Sequence, residues 1–154
     1  MKIKKILIVD DQLGIRLLLS EVFTGEGYEV FQAANGRTAI EITQTEKPDI
    51  IILDMKIPGM DGLEILKNIR EFDSEMKVLM MTAYGELDIL HEAYKHGILS
   101  HFTKPFDIGE LKSAIKEIFL KDSGTSNIIH EKILEIWYTC LVKIYSFIKE
   151  FNTR

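Results

Sequence analysis

The sequence predicts a doubly wound α/β domain, five parallel strands alternating with five helices, followed by an extra C-terminal amphipathic helix. Three observations carry that prediction. Apolar runs of strand length alternate with stretches of helical periodicity along the first 121 residues. Three of the runs, KILIV, DIIIL and KVLMM, are nearly continuous hydrophobes, the mark of strands covered on both faces of a parallel sheet. Chemically unusual residues fall at the ends of the runs, where open α/β sheets gather their functional groups.

In chain order, a first strand at 5–9 runs into Asp10-Asp11, and a helix follows at 13–25. The second strand, 28–33, is punctuated by Asn35-Gly36 before a helix at 36–46. The third, 49–53, leads to Asp54, and Asp61 is the N-cap of a helix at 62–71. The fourth, 77–81, leads to Thr82-Ala83, and the helix at 86–96 stops at Gly97. The fifth, 100–103, leads to Lys104-Pro105, with Asp107 as a cap for a helix at 107–121. Right-handed crossovers then place helices on both faces of the sheet.

The chain has 154 residues, 46% hydrophobic and 28% charged, which suits one ordinary domain plus an appendage. A net charge of −5 argues against general nucleic-acid binding, since an acidic chain repels phosphates. The single cysteine, Cys140, allows no intrachain disulfide and suits a reducing, cytoplasmic setting. The N-terminus lacks the long apolar run of a signal peptide, and no uncharged apolar stretch is long enough to span a membrane.

One sheet edge is thus expected to carry Asp10, Asp11, Asp54, Thr82 and Lys104. Any one of these aspartates is as readily a turn former or cap, and Lys104 or Thr82 alone is unremarkable. Compatible groups at four separate strand ends are harder to assign to chance. Crowded carboxylates repel, and a hard divalent cation relieves them; Mg²⁺ takes one or two carboxylates and keeps waters and phosphate oxygens for the rest. A carboxylate such as Asp54 attacks phosphorus to form an acyl phosphate. Lys104, the Thr82 hydroxyl and the Ala83 backbone N–H would then meet the phosphoryl oxygens. No histidine joins the cluster, so triad chemistry is unsupported, and the D-x-D spacing of an aspartyl phosphohydrolase is absent.

Asp10-Asp11, Asp54 with the following MKIPGMDG, Met81-Thr82-Ala83 and Lys104-Pro105-Phe106 together resemble the signature set of response-regulator receiver domains. The resemblance covers about residues 3–121, so residues 1–121 read as a receiver domain, 122–127 as a polar linker and 128–154 as a helical extension. It implies a flavodoxin-like sheet, phosphorylation on Asp54, and Mg²⁺ held by Asp11, Asp54 and the Lys56 backbone carbonyl, with Asp10 assisting through water. It also implies a cis Lys104–Pro105 peptide. Further stretches, among them ILIVDDQ, FQAANG and MTAYGELD, are similar to single-domain receivers of sporulation phosphorelays. These lack a DNA-binding output domain, take a phosphoryl group from sensor histidine kinases and pass it to a histidine phosphotransferase. Aspartyl-phosphate phosphatases are further expected partners.

Most receivers carry Tyr or Phe three residues before the lysine, where this chain has His101. His101 is therefore either a modified switch position or a half-exposed strand histidine. Lys56, two residues past Asp54, is expected to shield the acyl phosphate from water, the alternative being an ordinary exposed loop lysine. Gln12, Ile15, Leu18, Tyr84, Gly85, Glu86, Leu87, Pro105 and Phe106 border the expected site and form the predicted surface for a helical hairpin carrying the donor histidine.

In the extension, Ile133, Trp137, Cys140, Ile144, Phe147 and Phe151 form one apolar stripe at helical spacing, and Leu134, Leu141 and Ile148 complete a second. So broad a face requires a partner surface, and the expectation is a homodimer formed through residues 128–151, with docking onto the receiver as the rival. The mixed charge on the polar face disfavours a membrane surface.

Overall fold

The computed structural model describes residues 2–83 and 86–122, with the side chains of Leu87 and Asp88 outside that description. The chain divides into two units, residues 1–107 and 108–154. The first unit contains β1 (Lys5–Val9), α1 (Leu13–Gly25), β2 (Glu29–Ala33), α2 (Gly36–Glu46), β3 (Ile50–Asp54), α3 (Gly62–Phe72), β4 (Val78–Thr82), α4 (Leu87–Lys95) and β5 (Ser100–Thr103). The described part of the second is α5 (Ile108–Asp122), whose buried residues Leu111, Ile115 and Phe119 recur every fourth position.

The five strands form one parallel sheet in the order β2-β1-β3-β4-β5. The order reverses once, between β1 and β3. Right-handed crossovers therefore put α1 on one face and α2, α3 and α4 on the other. Side-chain alternation divides the strands accordingly. Leu7, Val9, Ile51, Leu53, Val78 and Met80 join Ala39, Ile65, Ile69, Leu90 and Ala93 in one core. Ile6, Ile8, Ile50, Ile52, Leu79 and Met81 are equally buried on the opposite side. Their continuous burial explains why these strands carry almost no polar residues.

Local chemistry sets the boundaries. Asn35 caps α2 by accepting the Thr38 N–H at 2.9 Å, and Asp61 caps α3 by accepting the Glu64 N–H at 2.8 Å. Gly97 follows α4 with φ of +78°, the left-handed conformation a helix terminator needs. Arg70, at the end of α3, donates to the carbonyls of His96 and Gly97 and so fixes this turn. The expected third and fourth strands lie one residue further along, because Asp54 pairs with Met81 and Thr82 with Thr103. The Lys104–Pro105 peptide is cis.

The fourth helix is a residue shorter at each end than expected, since Glu86 and His96 serve as its caps. Asp122, expected to open the linker, is the last residue of α5. Residues 123–127 and the predicted helical extension at 128–154 lie outside the described residues.

Candidate active site

The end of β1 supplies Asp10, which is fully buried. Its Oδ1 accepts the Gln12 N–H at 2.8 Å, and its Oδ2 accepts from the Lys104 ammonium at 2.8 Å. Asp11 is exposed. Arg16, one turn into α1, donates from Nη1 to the carbonyls of Asp10 and Asp11 at 2.8 and 3.0 Å and so shapes the turn that carries both. Asp54 ends β3, next to β1 in the sheet, and is 4% exposed. Its Oδ1 stands 3.1 Å from Lys104 Nζ. Carboxylate oxygens of Asp10, Asp11 and Asp54 all lie within 4.8 Å of one another.

Asp10 and Asp54 share one ammonium, that of Lys104. Burial pushes the Asp54 carboxyl above its ordinary range; Lys104 and the Lys56 backbone N–H oppose this, and the Asp10 charge reinforces it. Burial alone would lower the Lys104 ammonium, but its bonds to Asp10 and Asp54 outweigh that and raise it. The uncompensated charge and the all-oxygen donor set of Asp10, Asp11 and Asp54 fit a hard cation such as Mg²⁺.

The end of β4 completes the edge. The Thr82 hydroxyl is buried and has no hydrogen-bond partner, an orphan suited to an incoming acceptor oxygen. The Ala83 N–H donates to Oε2 of Glu86 at 3.0 Å, and Oε1 of Glu86 stands 3.0 Å from the Lys56 ammonium. This second contact lies outside hydrogen-bond alignment and is a charge pair. The loop after β3 returns tightly: the Gly62 N–H donates to the Met55 carbonyl at 2.8 Å. A Cβ at Gly62 would lie 2.4 Å from the Asp54 carbonyl oxygen.

Asp10, Asp11, Asp54 and Lys104 thus come together, and Thr82 ends β4, the strand beside β3. The expected docking residues divide. Gln12, Leu18 and Pro105 are exposed, and Ile15 and Phe106 are half-buried. Tyr84, Gly85 and the Leu87 side chain lie outside the described residues. Glu86 is 7% exposed, and its carboxylate is taken up by Ala83 and Lys56, which argues against its offering that group to a partner. Lys56 itself projects from the surface, its side chain 73% exposed. The His101 Nδ1 shares a 2.9 Å hydrogen bond with the Tyr94 hydroxyl. Two exposed leucines that the sequence reading passed over, Leu13 and Leu17, share α1 with Leu18. Their four-residue spacing was the available signal.

Residues 6–116 match the response regulator receiver domain family. The chain is 59% identical over 114 residues to sporulation initiation phosphotransferase F of Bacillus subtilis, covering 74% of this chain and 92% of that relative. It is 35% identical to the chemotaxis protein CheY of Thermotoga maritima, covering 75% of this chain and 97% of that one. Among solved structures, a CheY-like response regulator receiver domain protein from Methanospirillum hungatei superposes with a TM-score of 0.76 at 29% identity, over 80% of this chain and 98% of that chain. With the carboxylate cluster, the lysine bridging it and the parallel sheet that presents them, these matches make the chain a member of the response regulator receiver family.

Proposed function

We propose that this protein is a phosphorelay intermediate. It accepts a phosphoryl group from the phosphohistidine of a sensor histidine kinase onto Asp54 and passes it to a histidine phosphotransferase, in the control of sporulation initiation. The observation that carries this reading is the convergence of Asp54 with Asp10, Asp11 and Lys104 at one sheet edge. The 59% identity to a protein named for sporulation initiation and phosphotransfer supports the biological setting.

In the forward step an Asp54 carboxylate oxygen attacks phosphorus while the P–N bond to the donor imidazole breaks, its electron pair leaving with the ring nitrogen. The onward step is the same exchange reversed on a second imidazole. Asp11, Asp54 and the Lys56 carbonyl, with Asp10 beside them, would hold Mg²⁺, which would supply charge neutralisation for the transferred group. Lys104 holds Asp54 in place and adds positive charge beside the attacking oxygen. The orphaned Thr82 hydroxyl and the Ala83 N–H are the chain's own donors for the transferred group. Exposed Gln12, Leu18 and Pro105, with Ile15 and Phe106, offer a mixed apolar surface beside an acidic centre, suited to the helical hairpin of a kinase, phosphotransferase or aspartyl-phosphate phosphatase. The reaction belongs in the cytoplasm, where such kinases present their phosphohistidine. Among the described residues no helix is long and apolar enough to cross a membrane.

Incubation of the full chain with acetyl phosphate and Mg²⁺, read by intact mass, tests the reading. One phosphoryl group is expected on the wild type, none on Asp54→Asn, and none after chelation of the metal. Equal labelling of Asp54→Asn would refute it.

A further inference from the structure

Glu86 holds the groups that the phosphoryl oxygens would need. Its side chain is 6% exposed, yet it makes no capping bond to its own helix, α4. Instead Oε2 accepts the Ala83 N–H at 3.0 Å, and Oε1 draws in the otherwise exposed Lys56 ammonium at 3.0 Å. Ala83 follows Thr82, whose hydroxyl is the buried orphan, and β4 lies beside the strand that ends in Asp54. A buried carboxylate on a backbone N–H is a charge-assisted bond that another anion must displace.

We propose that Glu86 is a positioning residue that acts as an internal competitor of the phosphoryl group: its carboxylate occupies the Ala83 N–H and Lys56 until Asp54 is phosphorylated. The inference rests on the function proposed above. Two anions cannot share one N–H donor, so phosphorylation expels the Glu86 carboxylate. Because Glu86 is the N-cap residue of α4, its release reaches the first turn of that helix. The same competition lowers the site's affinity for the phosphoryl group. Lys56 then passes from the glutamate to the phosphoryl oxygens, which gives the shielding role read from the sequence a physical route.

The test uses the full chain and beryllium trifluoride with Mg²⁺ as the probe of the phosphoryl site, with the Ala83 amide followed by ¹H–¹⁵N NMR. Glu86→Gln and Glu86→Ala are compared with the wild type, and denaturation midpoints confirm that each folds. Loss of the charged acceptor is expected to move the Ala83 amide upfield before any probe is added. It is also expected to tighten binding of beryllium trifluoride about tenfold, the scale of one hydrogen bond to a charged group. A purely structural glutamate would give the opposite sign, weaker binding in both variants. Unchanged or weaker binding, or an Ala83 amide that stays in place, overturns the proposal while leaving Asp54 as the phosphoacceptor. A wild type that ignores the probe, as Asp54→Asn is expected to, would sink the phosphorelay reading and the competitor role together.

Discussion

Gly62→Ala is the smallest substitution expected to damage the site, adding one methyl group at the tight return from β3 into α3. The new Cβ would stand 2.4 Å from the Asp54 carbonyl oxygen and 2.8 Å from Met55 Cα, and both are backbone atoms. Non-bonded carbons rest at about 3.5–4.0 Å, so roughly 1 Å of overlap must be relieved by moving the end of β3 or the start of α3. Overpacking of this kind costs about 1–3 kcal/mol, and with backbone as the obstacle the upper end applies. For a chain of this size that lowers Tm by roughly 6–12 °C. The displaced segment carries Asp54, and a misplacement of about 1 Å can cost on the order of 10²-fold in rate. Thermal unfolding and the initial rate of labelling by acetyl phosphate measure the two effects. Gly14→Ala is the control: nothing lies within 4 Å of its added Cβ, and a helical glycine replaced by alanine gains about 0.5–1 kcal/mol. A Gly62→Ala protein as stable as the control and labelled at the wild-type rate would refute the argument.

Three further outcomes are expected. Lys104→Met leaves the buried Asp10 and Asp54 without their shared ammonium and should cost about 3–5 kcal/mol in metal-free buffer, measured by denaturant unfolding. Burial would raise the Asp49 carboxyl, but the Lys5 N–H and the Lys4 ammonium outweigh it and hold the group below its ordinary value of 3.8. Its stabilisation is therefore present above that value and lost as pH falls through the lower folded one, so Asp49→Asn should flatten the acid limb of a stability–pH curve. From the sequence of residues 128–151 the full chain is expected to sediment as a dimer and Trp137→Glu as a monomer; monomers of both at high micromolar concentration would exclude that interface.

Most of the sheet edge was legible because parallel strands announce themselves twice, by unbroken apolar runs and by the polar residue that stops each run. Asp10, Asp54, Thr82 and Lys104 needed only chain order to be brought together. Asn35, Asp61 and Gly97 were readable for a similar reason, since capping chemistry is local to within three residues. The one-residue offset at β3 and β4 has its cause in pairing: Asp54 and Thr82 are polar, yet a neighbouring strand takes their backbone into the ladder.

Orientation was harder to read. In α1 the spacing allows either Leu13, Leu17 and Leu18 or Ile15, Leu19 and Phe23 to turn inward, and periodicity alone does not choose between them. The sheet chooses, burying Leu19 and Phe23 and leaving all three of the others exposed. The surroundings of Glu86 were hard to read for a related reason. Its sequence neighbours mark it as a loop residue at a helix start, a place where glutamate ordinarily faces water. Its partners lie 3 residues away at Ala83 and 30 residues away at Lys56, the latter reached only because β3 and β4 are adjacent strands. A carboxylate so placed is costly unless something answers its charge, and one exposed lysine with one N–H is a modest answer. That imbalance makes the contact easy to exchange, and a residue that must give way to a phosphoryl group needs a contact of that strength.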